Sequence, residues 1–221
     1  MYAVLLSPTW DEVIKTVSQH LTKHCKLERI RVDYIESGKD VEVRTLVLPF
    51  YIIICHGNEK GLVDEHGRKM ELVVSGRVIV AIACWTAKEY GKECIKNGAR
   101  AYLGWNKPVV FSEKYIYETL KPLVIILTAL DMGASLGEAV VLAQSYIHDI
   151  PDKLPEYVKK LVLQNINGIR LYGDRTASIN NVYIAGVVDF ANTVPNLLDK
   201  ITERLISSLR AEMKGVLDYY G

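Results

Sequence analysis

Tyr51-Ile-Ile-Ile-Cys55 running into His56-Gly57, and Val78-Ile-Val-Ala-Ile-Ala83 running into Cys84, are the two stretches on which this chain's fold turns. Short, continuous, β-branched runs of this kind predict strands buried on both faces of a parallel sheet. Ala101-Tyr-Leu-Gly104 is a third. The first two runs each deliver a reactive side chain at their C-terminal end, the edge of an open α/β sheet where ligands bind. The expectation is a nucleophilic dyad, with Cys84 as nucleophile and His56 as base.

Between these two strands, alternating runs on either side of Glu65-His66-Gly67-Arg68 predict a hairpin. After Cys84 the pattern switches to a helix over 86–97, ended by Gly98 as a C-cap glycine. Its first turn would follow the thiol directly, so the helix dipole and open N–H groups would favour thiolate. Toward the N-terminus, 2–6 reads as a strand, followed by a helix through Val13, Val17 and Leu21 capped by Ser7 or Thr9, and a second strand over 27–35. Residues 41–48 read equally as strand or loop. Beyond Gly104, 112–147 is mostly helical with a break at Asp131–Ser135, and Pro122 sits at a first turn or kinks the segment. A short helix over 155–165, a strand over 169–172, a further strand over 182–188 and an amphipathic closing helix at about 195–219 complete the chain. Strands alternating with helices, without repeat or linker, predict one α/β domain over 1–221, a three-layer α/β/α sandwich with a mainly parallel sheet.

The 221 residues are nearly half apolar, enough for a sizeable core, and a net charge of +1 with interspersed signs gives no field for nucleic acid. Without a long apolar span or a leader-like N-terminus, the expected location is the cytoplasm, with no membrane partner. Cys25, Cys55, Cys84 and Cys94 make no disulfide framework and no C-x-x-C pair, so reduced thiols are expected. A regulatory Cys55–Cys84 disulfide is the minor alternative.

The blocks ending in His56-Gly57 and Ala83-Cys84 resemble the caspase-like cysteine peptidase superfamily, which holds caspases, legumain, separase, the gingipains and the CHAT-domain proteins. Three further pieces look most like its gingipain and CHAT-domain branch. They are Gly98-Ala-Arg-Ala-Tyr-Leu-Gly104, the Gly-x-Ser-x-x-Glu-Ala of Gly133 to Ala139, and Leu171-Tyr-Gly-Asp174. The resemblance covers roughly 50–175. It implies a caspase-like fold, peptide-bond hydrolysis by His56 and Cys84, an oxyanion hole built from the backbone N–H groups of Gly57 and Cys84, and no metal or organic cofactor. A glycine after the base agrees with this, since it admits substrate backbone closely. Caspases carry Gln two residues before the cysteine, in the pocket that reads Asp; Ile82 stands here, so the resemblance does not extend to cleavage after Asp.

Rival readings are weaker. His20 and His24, with Cys25 adjacent, make a partial metal site lacking a fourth ligand, and packed or solvated histidines are the simpler reading. His66 is expected to be exposed at the hairpin tip, and His148 has no evident partner. Gly133-Ala-Ser-Leu-Gly137 matches a serine-hydrolase elbow, but that fold needs an acid and then a histidine well after the serine, and the single later histidine is His148. Ser135 reads better as a helix N-cap with Glu138 completing a capping box. The expectation is therefore a cysteine endopeptidase acting on a peptide or protein. Its alternative is an inactive domain of the same fold that binds peptide or protein, with oligomeric state left open.

Overall fold

The apolar runs pair into a six-stranded sheet, which a computed structural model describes with its helices over residues 3–181. In chain order the elements are β1 (Ala3–Pro8), α1 (Glu12–Cys25), β2 (Ile30–Ile35), α2 (Gly38–Thr45), β3 (Phe50–Ile54), the short β4 (Gly57–Asn58) and β5 (Gly61–Leu62), β6 (Val78–Ile82), α3 (Tyr90–Lys96), β7 (Ala101–Trp105), α4 (Ile116–Asp131), α5 (Leu136–Ser145), α6 (Glu156–Gly168) and β8 (Ile169–Gly173). The sheet runs β2-β1-β3-β6-β7-β8, parallel except for β8, which lies antiparallel to β7.

β3 and β6 are buried along their whole length. Alternation sorts their side chains into two cores. Ile52, Ile54, Val80 and Ile82 pack with residues of α1, α4 and α5; Ile53, Cys55, Ala81 and Ala83 pack with Val41 of α2 and with Tyr90 and Cys94 of α3. Helices thus cover both faces of a mainly parallel sheet, the expected three-layer α/β/α arrangement. The strand order reverses at β1: α1 leads out to β2 over one face, and α2 returns over the other to β3 on the far side of β1. Such a reversal opens a crevice at the C-terminal ends of the two strands involved, here β1 and β3.

Several boundaries differ from expectation for local reasons. α1 is capped by Asp11, not Ser7 or Thr9, because the Asp11 Oδ1 accepts the Ile14 N–H (2.9 Å). Its buried stripe is Ile14, Val17, Leu21 and Cys25, which leaves Val13 49 % exposed. The second strand starts at Ile30 rather than 27, since the Asp131 carboxylate holds the backbone N–H groups of Glu28, Arg29 and Ile30 (3.0, 2.8 and 2.8 Å) out of any ladder. Residues 41–45 belong to α2, whose N-cap is Ser37, and not to a strand. Pro122 lies inside α4, behind a 3₁₀ turn at Glu113–Tyr115.

Other expectations hold. Val63 bridges Lys69 across the hairpin, and Asp64 Oδ1 accepts the His66 and Arg68 N–H groups at its turn. Gly98, at φ +89°, lets Ala99 N–H reach Cys94 O and its own N–H reach Ile95 O, a Schellman closure of α3. Ser135 caps α5 in a full capping box with Glu138. The strand over 182–188 and the helix over 195–219 lie outside the described residues, so the single-domain span 1–221 does too. Among the described residues no helix is long and apolar enough to cross a membrane.

Candidate active site

β3 and β6 pair in register Ile54↔Ile82, and the Cys55 N–H continues the pairing onto Ile82 O (3.4 Å). Extended by two residues, that register sets His56 opposite Cys84 at the strand ends. By alternation both continue the Ile54/Ile82 face, while Cys55 and Ala83 face the other core. Their contacts agree. His56 Nε2 lies 3.2 Å from Asp11 Oδ2 at the head of α1, and the Cys84 thiol donates to Val109 O (3.9 Å) on the same side. By the same alternation Cys55 faces the second core, and all four cysteines are free thiols here.

A close approach then seals the two strand ends together. A Cβ on Gly57 would stand 2.5 Å from Thr86 Cγ2 and 3.1 Å from Cys84 O, so a side chain at 57 would wedge the segments apart. In the β4–β5 ladder the Val63 N–H reaches His56 O (3.1 Å), which makes Gly57↔Leu62 the non-bonded pair and turns the Gly57 N–H away from β5. The Cys84 N–H meets no acceptor among the described residues.

Directly after Cys84, Trp85 sits at φ +64°, a left-handed conformation that costs a bulky residue about 1–3 kcal/mol. Its N–H reaches Lys107 O (3.3 Å) and its carbonyl accepts from the Lys88 N–H (2.9 Å). This reversal breaks the helical run expected from residue 86. α3 begins only at Tyr90, so Cys84 is not at its first turn, and the expected dipole activation of the thiol is absent. Burial instead pushes the Cys84 thiol above its ordinary value of 9.0, and at neutral pH it carries its proton. A base is needed.

Asp11, the residue that caps α1, was not among the sequence candidates. The Ile14 N–H, and less strongly the His56 ring, hold its carboxyl below the usual 3.8, so it is an anion facing the imidazole. An aspartate directly before Glu12 and an amphipathic run is a capping signal that could have marked it. The contact to His56 has no such signal, since it arises only when β1 and β3 become neighbours.

The remaining candidates are structural. His20 and His24 stack at 4.3 Å beside Tyr117, and the Cys25 thiol turns inward to Val124 O (3.8 Å). Among the described residues no third metal-ligand side chain joins them. The His66 side chain is 64 % exposed. Asp174 pairs with Arg100 (2.8 Å) beyond Gly173, which faces Ala101 at the opposite edge of the sheet from Cys84. Comparison with models of known protein families and with curated proteins finds no match.

Two measurements follow from these environments. Burial raises all four thiols, Cys25 and Cys94 to about 11, but Cys84 alone is not fully buried. Iodoacetamide is expected to alkylate Cys84 first, at a rate still climbing past pH 9; equal modification of all four in a peptide map, or a plateau below pH 7, contradicts this. His20 Nε2 is buried without a hydrogen-bond partner, and burial, then the charges of His24 and Lys23, hold its pKa below 6.5 against the opposing pull of Glu118. A depressed folded pKa means the unfolded chain binds the extra proton first. The urea midpoint should therefore be highest above pH 6.5 and fall as pH drops through the folded value, with a shallower slope in His20→Gln.

Proposed function

We propose that the chain is a cysteine endopeptidase of caspase-like type, acting on a peptide or protein in the reducing cytoplasm, where a free Cys84 persists. The observation that supports this reading is the β3–β6 register, whose extension by two residues sets His56 opposite Cys84 at the C-terminal ends of neighbouring strands, next to the order reversal at β1. With Asp11 taking the Nε2–H, His56 Nδ1 holds the lone pair that accepts the thiol proton. The thiol leaves Val109 O as substrate enters, since such contacts tighten only in the complex. The Cys84 sulfur then adds to the scissile carbonyl, and the oxyanion develops against the outward N–H groups of Gly57 and Cys84, each worth about 3 kcal/mol. The imidazolium returns its proton to the leaving amine, and water, deprotonated by His56, hydrolyses the thioester.

The raised thiol, bonded to a carbonyl, favours a second reading: an inactive domain that binds peptide without turnover. A fluorogenic peptide library varied at P1, the residue whose carbonyl is attacked, separates the two. Turnover in the wild type that is lost in Cys84→Ala supports the peptidase. Saturable peptide binding with no turnover at any pH refutes it in favour of the module.

A further inference from the structure

We propose that Thr86 is a positioning residue for this site: its methyl group holds the Gly57 segment off the Cys84 turn and so sets where the Gly57 N–H meets the oxyanion. The inference rests on the peptidase reading and adds to it a residue that does not touch substrate. Thr86 is fully buried two positions after Cys84. Its backbone is tied down, the carbonyl accepting the Gly91 N–H (2.8 Å) and the next N–H, that of Ala87, reaching Trp105 O of β7 (3.0 Å). Both branches of its side chain meet the α-carbon of a glycine. A Cβ on Gly57 would stand 2.5 Å from Thr86 Cγ2, and a Cβ on Gly104 of β7 would stand 3.2 Å from Thr86 Oγ1. The side chain is thus a spacer, set beyond the end of β6 between the continuation of β3 and β7.

A spacer must be stiff. Threonine is β-branched and restricted at χ1, and its hydroxyl donates to Ala83 O (3.4 Å) while its methyl meets Gly57. On the Gly104 side the buried Tyr102 ring closes the space, since a Cβ there would meet it at 2.7 Å. The Gly57 α-carbon also borders Ala83 Cβ and Cys84 O, from which a Cβ at 57 would stand 3.0 and 3.1 Å. Ala83 and Tyr102 belong to the core opposite the face on which His56 and Cys84 emerge, so Thr86 acts on the reaction only through the backbone of Gly57. A donor misplaced by about 1 Å loses much of its effect on an oxyanion, so removal of the methyl costs rate without costing binding.

The test compares wild type with Thr86→Ser, which keeps the hydroxyl and loses the methyl, and with Thr86→Val, which keeps both branches and loses the hydroxyl. Turnover of the best library peptide, inhibition by the peptide aldehyde of the same sequence, and alkylation of Cys84 by iodoacetamide are measured on each. The aldehyde takes the Cys84 sulfur on its carbonyl carbon and the thiol proton on its oxygen, with no leaving group, and that oxygen occupies the oxyanion hole. Iodoacetamide loses iodide from a methylene carbon and forms no oxyanion. In Thr86→Ser, kcat and aldehyde affinity are expected to fall together by about 10-fold or more, with KM and the alkylation rate within about 2-fold of wild type. Thr86→Val is expected to keep kcat within about 3-fold. Loss in Thr86→Val with full activity in Thr86→Ser overturns the spacer and assigns the hydroxyl instead. Alkylation slowed as much as turnover overturns it too, since Thr86 would then act on the thiol. Unchanged kcat in both variants overturns the role of Thr86 and leaves the peptidase reading standing. Absence of both turnover and aldehyde adduct in the wild type overturns the peptidase reading, and the spacer with it.

Discussion

Exchange of Cys84 for alanine is expected to lower kcat/KM on the best library peptide by at least about 10⁴-fold, and His56→Ala by nearly as much. On the proposed mechanism each removes one half of a single device. Without the sulfur no acyl-enzyme forms, and without the imidazole a thiol held protonated by burial has no acceptor for its proton. The double variant should accordingly be no worse than either single one, because groups that act as a unit are not additive. Asp11→Asn is expected to cost less, about 10- to 100-fold, because the 31 % exposed carboxylate orients His56 from a partly hydrated position. Cys55→Ala provides the internal control. It lies one residue before His56 on the opposite face of the sheet and should stay within about 3-fold of wild type, as a small change confined to the second core. Equal loss in Cys55→Ala and Cys84→Ala would show that turnover depends on packing near the strand ends rather than on the thiol.

Asn165→Leu is expected to be the most destabilising of the conservative substitutions, by about 3 kcal/mol in urea unfolding. Asn165 is fully buried on α6. Its Nδ2 donates to Val110 O (2.7 Å) and Thr119 O (2.8 Å), and its Oδ1 accepts the Val110 N–H (3.0 Å). Leucine fills a similar volume but removes all three bonds and leaves the Val110 N–H and carbonyl without this partner, each costing about 1–3 kcal/mol less whatever water recovers. The effect reaches the site. The same side chain ties down the loop that carries Val109, whose carbonyl takes the Cys84 thiol, so alkylation of Cys84 should accelerate in the variant. An unchanged unfolding midpoint would mean that the loop is held by its apolar residues instead.

Sequence pattern and structure agree where the cause is local. The β-branched runs become buried strands because no other element hides every side chain of such a run. Ser135 and Glu138 form their capping box, and Gly98 its left-handed closure, because these depend on residues a few positions apart. They part where distant groups intervene. Asp131 sets the start of β2 from more than a hundred positions away, and the Trp85 turn, bonded to Lys107 O beyond β7, delays α3.

The same division runs through the candidate site. From the sequence alone come the two strands, their reactive ends and, through period-two alternation, the face on which each end must emerge. Only the tertiary structure decides that β1 lies beside β3, and with it the pairing of Asp11 with His56; only it shows a thiol raised by burial rather than lowered by a helix. Strand identity depends on how a run of side chains meets water, which neighbours in sequence settle. Strand order and the field around a titrating group depend on which distant segments exclude that water, which neighbours in sequence do not encode.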